Sequence, residues 1–300
     1  MSNIKYIVLF PVLIFFAACS KKGGEEVATD GPVRPVLPSS SKFINKVFEY
    51  SPAPGQFINE STGSKEGEEA IVGNINSILS LGTFGGYVVF GFDHSVLNNP
   101  GADFAIYGNP FPPPTEWSEP GIVMVSRDAN RNGIPDDEWF ELEGSAHADP
   151  ETIRNYQITY VNPGNYASVN WSDNQGNSGT VDTNSFHMHN YYPEFIGDQD
   201  SVTYTGTRLK STFGQESAGS IYRNLPFAEG YADNWSTGDD FSGKGYNSFD
   251  IDKAVDKDFS PVQIKNIDFI KVYTAQVSAG TRTVGEVSTE IRGATDLSIP

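Results

Sequence analysis

Apolar positions along the chain fall in short alternating or continuous runs, broken by Gly, Pro, Asn and Asp. The runs are rich in Tyr, Phe, Val, Ile and Thr, as in "GGYVVFGFDH", "DFAIYGN", "GIVMVSRD", "WFELEGS", "YQITYV", "SVTYTGTRL" and "IDFIKVYTAQV". That pattern predicts strands. In "YVVFGF" and "GIVMV" both faces are apolar, so these are expected to be central strands covered on both sides. Only "EEAIVGNINSILSL" (68–81) spaces its apolar residues for one helical face, with Ile71, Ile75, Ile78 and Leu79. The expectation is an all-β protein, a jelly-roll β-sandwich with one short helix packed on it. No fixed-period repeat is visible, which disfavours solenoids and propellers. Residues 165–245 are rich in Asn, Asp, Gly, Ser and aromatics, and are expected to form a loop and hairpin elaboration at one end of the sandwich. Core patterning then returns at "SFDIDKAVD".

The first residues add an address. Lys5, an apolar run from Tyr6 to Phe16, and Ala17-Ala18 have the layout of an export signal, too short to be a stable membrane span. The sole cysteine, Cys19, ends "FAAC", which resembles the lipobox of bacterial lipoproteins. The expected organisation is a signal peptide at 1–18, a lipidated Cys19 opening a flexible tether at 19–42, and one sandwich domain at 43–300. With Cys19 lipidated no disulfide is available, so stability must come from a core. The net charge of −18 argues against nucleic acid and against a polybasic membrane patch. Membrane contact is therefore expected through the lipid alone.

"DANRNGIPDDEW" (128–139) carries the clearest candidate chemistry. With Asp128 as position 1, Asn130, Asn132, the Ile134 carbonyl and Asp136 fall at the oxygen spacing of a calcium loop, and Gly133 supplies its sharp turn. Position 12 is Trp139 rather than the usual Glu, so Asp137, Glu138 or Glu141 must close the ring, and Glu138 is taken with the set. Two neutral amides among the first ligands imply weak, structural Ca2+ binding; a plain polar hairpin turn is the alternative.

Other groups are less specific. His187 and His189 share a face if extended, and could bind a metal or a flat ligand. Together with Trp171, Tyr191, Tyr192 and Trp235 they are candidates for a concave, aromatic ligand site. Asp233, Asp250, Asp252, Asp256, Glu286 and Glu290 are candidates for paired carboxylates of a glycoside hydrolase. Asp93 and His94 lack a serine or cysteine partner for a triad. Phosphate loops, dinucleotide fingerprints and zinc spacings are missing.

Over residues 50–297, the stretches "SLGTFGGYVVFGFDHSVLNNPGADFAIYGNPF", "EPGIVMVSRDANRNGIPDDEWFELEGS" and "IDFIKVYTA" resemble exported proteins with a galactose-binding-like, discoidin-type jelly roll. The closer likeness is to Bacteroidota cell-surface lipoproteins associated with TonB-dependent uptake, cobalamin uptake included. The resemblance implies an outer-membrane lipoprotein, at the cell surface or on the periplasmic face, that captures a glycan or cobalamin for a transporter. The expected function is thus non-catalytic; a carbohydrate hydrolase and an adhesive surface protein are the competing expectations.

Overall fold

The structure, a computed structural model, describes Met1 and residues 33–300 apart from 198, 240, 279 and 282. The signal segment, Cys19 and the tether up to residue 32 lie outside the described residues. The fold is an all-β sandwich built around a six-stranded antiparallel sheet. Its strand order is Lys46–Ser51, Tyr87–Gly91, Phe269–Thr274, Gly121–Ser126, Trp139–Leu142 and Ala254–Val255.

Period-two alternation sends the side chains of this sheet into two separate cores. From Gly121–Ser126, Val123 and Val125 enter one core while Ile122 and Met124 face the other. Ile270 and Val272 likewise enter the first, and Tyr273 the second. A three-stranded sheet, Asn247–Phe249, Phe104–Tyr107 and Gly293–Asp296, closes the first core with Phe104, Ile106, Phe249 and Ala294. A four-stranded sheet, in the order Ser178–Val181, Val169–Asp173, Ile153–Val161 and Ser201–Arg208, closes the second with Tyr156, Ile158, Tyr160 and Tyr204. The central sheet is thus covered on both faces, which is why its strands read as continuous apolar runs.

Two expectations need correction. The region 165–245 does contain a short hairpin, Phe213–Gln215 with Tyr222–Asn224. Its other strands, however, supply three of the four strands of a layer that buries the second core, so they belong to the sandwich rather than to an elaboration at its end. The helix lies earlier than expected, at Lys65–Ala70. Ser64 caps it by accepting from the Gly67 N–H, and Gly73, at φ +73°, stops continuation. Leu79 then joins a two-residue strand, Leu79–Ser80. Ile71 and Leu79 are buried as the periodicity implied, but in different elements.

The chain is also anchored earlier than a tether ending at 42 would be. The Arg34 guanidinium donates to Asp268 Oδ1 at 3.1 Å and to the carbonyls of Phe92 and His94 at 3.0 and 3.2 Å. Its backbone N–H donates to Ser95 Oγ at 2.8 Å.

Candidate functional site

The loop after Gly121–Ser126 gathers its acidic and amide side chains around one point. Asp128 accepts from the N–H groups of Asn132 and Gly133 at 2.9 and 3.0 Å. Asn130 and Asn132 both donate side-chain N–H bonds to the Asp136 carboxylate, at 2.9–3.1 Å. Gly133 sits at φ +71°, as the sharp turn requires. Asp128, Asn130, Asn132 and Asp136 are the side chains that could hold calcium, with the Asn130 and Asn132 oxygens accepting here from the N–H groups of Asn132 and Ile134 at 2.9 and 2.7 Å. The Ile134 carbonyl accepts from the Asp136 N–H at 2.9 Å. The three acids that could close the ring take different places. Glu138 is exposed, whereas Asp137 turns back and accepts from the Ala129 N–H at 2.9 Å. Glu141 is drawn away into a strand.

That strand opens the floor of a cleft of about 210 Å³ between the edge of the central sheet and the four-stranded layer. In Trp139–Leu142 the side chains alternate: Phe140 and Leu142 enter the first core, leaving Trp139 and Glu141 on the opposite face. Glu141 is held from below. Tyr273 Oη donates to Oε1 at 2.7 Å, and Thr207 Oγ1 to Oε2 at 2.9 Å. Burial and this carboxylate push the Tyr273 hydroxyl well above its ordinary pKa, which keeps it a donor.

The other walls are strained. Register slips between Gly206 and Arg208, so that Arg154 and Asn155 bulge out of the ladder with Asn155 at φ +52°. Such a bulge re-aims side chains, and Asn155 lines the cleft. Opposite it, Phe259 sits at φ +61°, a true outlier for a bulky residue, with the Arg154 guanidinium 3.6 Å from its ring centre. Two left-handed non-glycine residues facing one concavity mark a site held against its local preferences.

The aromatic and histidine candidates take other places. Tyr191 and Tyr192 are fully buried in the second core, so neither can stack on a ligand; this corrects the expected site. Tyr191 Oη accepts from the Asn184 N–H at 3.0 Å. His189 spends both ring nitrogens, on the Ile58 carbonyl at 3.0 Å and on Glu60 at 3.2 Å. His187 packs edge-on to Phe57, and the exposed residues of this loop are Phe186 and Met188 instead. Trp171 lies across Gly179, where a Cβ would come within 2.6 Å of the indole, and Trp235 packs on Phe241.

The carboxylate candidates are mostly structural. Asp250 caps the turn Ile251–Lys253, Asp252 accepts from the Asn98 amide, and Asp256 accepts from the N–H groups of Asp258 and Ser260. Asp233 and Glu290 do meet a third acid, Glu119, with one oxygen of each within 4.8 Å of the others. All three are buried, and burial raises all their pKa values. The trio could share protons or hold a cation, and it lines neither the Trp139–Glu141 cleft nor the two concavities described below. Glu286 is also buried and pushed up to about 7.

Two further concavities compete with the cleft. One of about 150 Å³ is lined by Glu143, Glu229, Asp239 and Asp250. Burial pushes Asp239 up to about 6, yet its oxygens already accept from Gly230 N–H, Ser236 Oγ and Asn247 Nδ2. The other, about 490 Å³, is an open hollow at Asn98, Gln263 and Lys265 with no aromatic ring. The Trp139–Glu141 cleft sets a half-buried indole beside a fixed, partly exposed carboxylate.

No known protein family matches the chain, and no curated protein matches it either. The cleft residues themselves were missed in the sequence. The readable signal was Trp139 and Glu141 two apart in a strand, hence on one face, directly after a metal-type loop.

Proposed function

We propose that the protein is an exported, lipid-anchored capture protein that holds a hydroxylated ligand in the Trp139–Glu141 cleft and passes it on unchanged to an outer-membrane transporter. The observation that carries this reading is the convergence in one cleft of an aromatic ring, a carboxylate locked by Tyr273 and Thr207, and a bulged amide, Asn155. A flat ring with a few fixed polar groups is the chemistry that recognises sugars. At about 210 Å³ the cleft is below the roughly 300–1,000 Å³ that encloses a drug-sized ligand. One residue of a glycan suits it better than cobalamin.

Calcium in the Asp128–Asp136 loop would then stiffen the rim, since Trp139 follows that loop directly. Anchoring by Cys19 to the outer membrane, facing outside, rests on "FAAC"; a galactose-binding-like jelly roll of the Bacteroidota lipoprotein type, with a TonB-dependent partner, rests on the sequence resemblance. Hydrolysis would need two carboxyl groups about 5–10 Å apart across the ligand. The other acid in the cleft, Asp256, closes its own turn, which favours capture over cleavage. An adhesive protein would have no use for such a cleft.

Calorimetric titration with a panel of surface glycans and with cobalamin, in calcium and then in chelator, tests the reading. A saturable heat with one glycan class supports it. A folded protein that gives none with the whole panel sinks it.

A further inference from the structure

The Glu141 carboxylate is only 13% exposed, and among the described residues no lysine or arginine is paired with it. Its one basic neighbour is His147, whose Nε2 lies 3.4 Å from Glu141 Oε2, too far or too bent for a hydrogen bond. The His147 Nδ1 receives the Gly144 N–H at 2.9 Å and faces the Tyr231 hydroxyl at 3.0 Å. That hydroxyl oxygen accepts from the Ala146 N–H at 3.0 Å. With Nδ1 turned to the Gly144 N–H, Nε2 is the ring nitrogen that faces Glu141.

A mostly buried carboxylate is costly unless something positive meets it. Two hydroxyls hold Glu141, and neither carries charge. Around it the cleft offers Trp139 and the Met124 thioether, surfaces that attract a cation through a ring face and polarizable sulfur; the Phe259 ring already carries the Arg154 guanidinium, 3.6 Å from its centre. Lys257 lies at the rim, but it is exposed and its ammonium pairs with Asp258 at 2.6 Å.

We infer that the cleft selects a ligand bearing an ammonium group, which sits on Glu141 beneath Trp139; among glycans this means an amino sugar with a free amine. The inference rests on the cleft being the capture site, and it adds the charge of the ligand to that reading. The ammonium would donate to Glu141 while the sugar hydroxyls meet Asn155 and the threonines of the strand Ser201–Arg208.

The test is titration of the full chain, in detergent at pH 6, with glucosamine, glucose, N-acetylglucosamine and choline. Glucosamine is expected to bind roughly 10- to 100-fold tighter than glucose or N-acetylglucosamine. Glu141→Gln keeps the shape and removes the charge, and should bring the three sugars within about twofold of one another. Should Glu141→Gln lower the melting temperature, Trp139→Ala removes the ring and is expected to weaken glucosamine roughly tenfold. The comparison of sugars on the unaltered protein decides without any variant. Equal binding of glucose and glucosamine would overturn the ammonium inference and leave sugar capture standing. Choline binding without any sugar would keep the ammonium and remove the glycan. Silence with all four would overturn this inference, and capture stands or falls on the wider panel.

Discussion

Trp139 stands half-buried at the cleft, while Tyr191 is enclosed by the second core with its hydroxyl on the Asn184 N–H. Truncating each to alanine should therefore give opposite readouts. Tyr191→Ala empties a core position and is expected to cost about 3–5 kcal/mol of stability, read as a lower urea midpoint. Trp139→Ala should leave that midpoint nearly unchanged and reduce ligand affinity. The reverse pattern would return the site to the aromatic segment around 187–192. Residue type alone could not separate the two, because tyrosine and tryptophan carry both an apolar body and a polar tip and serve core or cleft equally well. His94 makes the same point. Beside Asp93 it had the look of half a triad, yet it is fully buried, clamped between Asp93 at 2.6 Å and Asp296 at 2.8 Å. Asp296 is 202 residues away, and no local pattern announces it.

At the scale of elements, legibility followed how local each signal is. The strands Tyr87–Gly91, Gly121–Ser126 and Phe269–Thr274 were readable because alternation and burial act within a few residues. The helix was displaced because Ser64 and Gly73 fix its ends, and the apolar spacing over 68–81 began after the first and ran past the second. The loop 128–137 was readable in spacing and turn, but not in which acid closes it. If it binds calcium in the range of about 10⁻⁴ to 10⁻³ M typical of extracellular modules, 10 mM calcium should add about 1.4–2.7 kcal/mol. That corresponds to roughly 3–10 °C in melting temperature for a domain of this size. Calorimetric scans in calcium and in chelator measure it, and Asp136→Ala should erase the difference. An unaltered protein that melts alike in both has no site in the loop.

The whole molecule carries a net charge of −18, and several of its acids lie inside rather than on the surface. Composition reveals the excess of acid but not its depth, because the topology that brings Glu119, Asp233 and Glu290 together spans 171 positions of sequence. Burial holds Glu286 up to about 7 and Asp103 up to about 6. A carboxyl with a raised folded-state pKa keeps its proton in the folded chain after the unfolded chain has lost it. Stability is therefore intact below about pH 4 for these groups, and falls as pH rises through about 6 to 7. The urea midpoint in chelator is expected to be higher at pH 5 than at pH 8. A midpoint that climbed toward pH 8 would mean these acids ionise without penalty.

One contact bears on how the molecule stands at a surface. Asp268 binds Arg34 through Oδ1, and through Oδ2 it accepts the Asp128 N–H at 2.9 Å, so the point where the chain enters the sandwich and the start of the loop above the cleft share one carboxylate. Arg34 lies fifteen positions after Cys19, and a fully extended chain of that length reaches about 50 Å. Were Cys19 held in a bilayer, as proposed, that length would set the greatest distance at which Asp268, and with it the start of the loop leading to Trp139, could stand from the membrane surface.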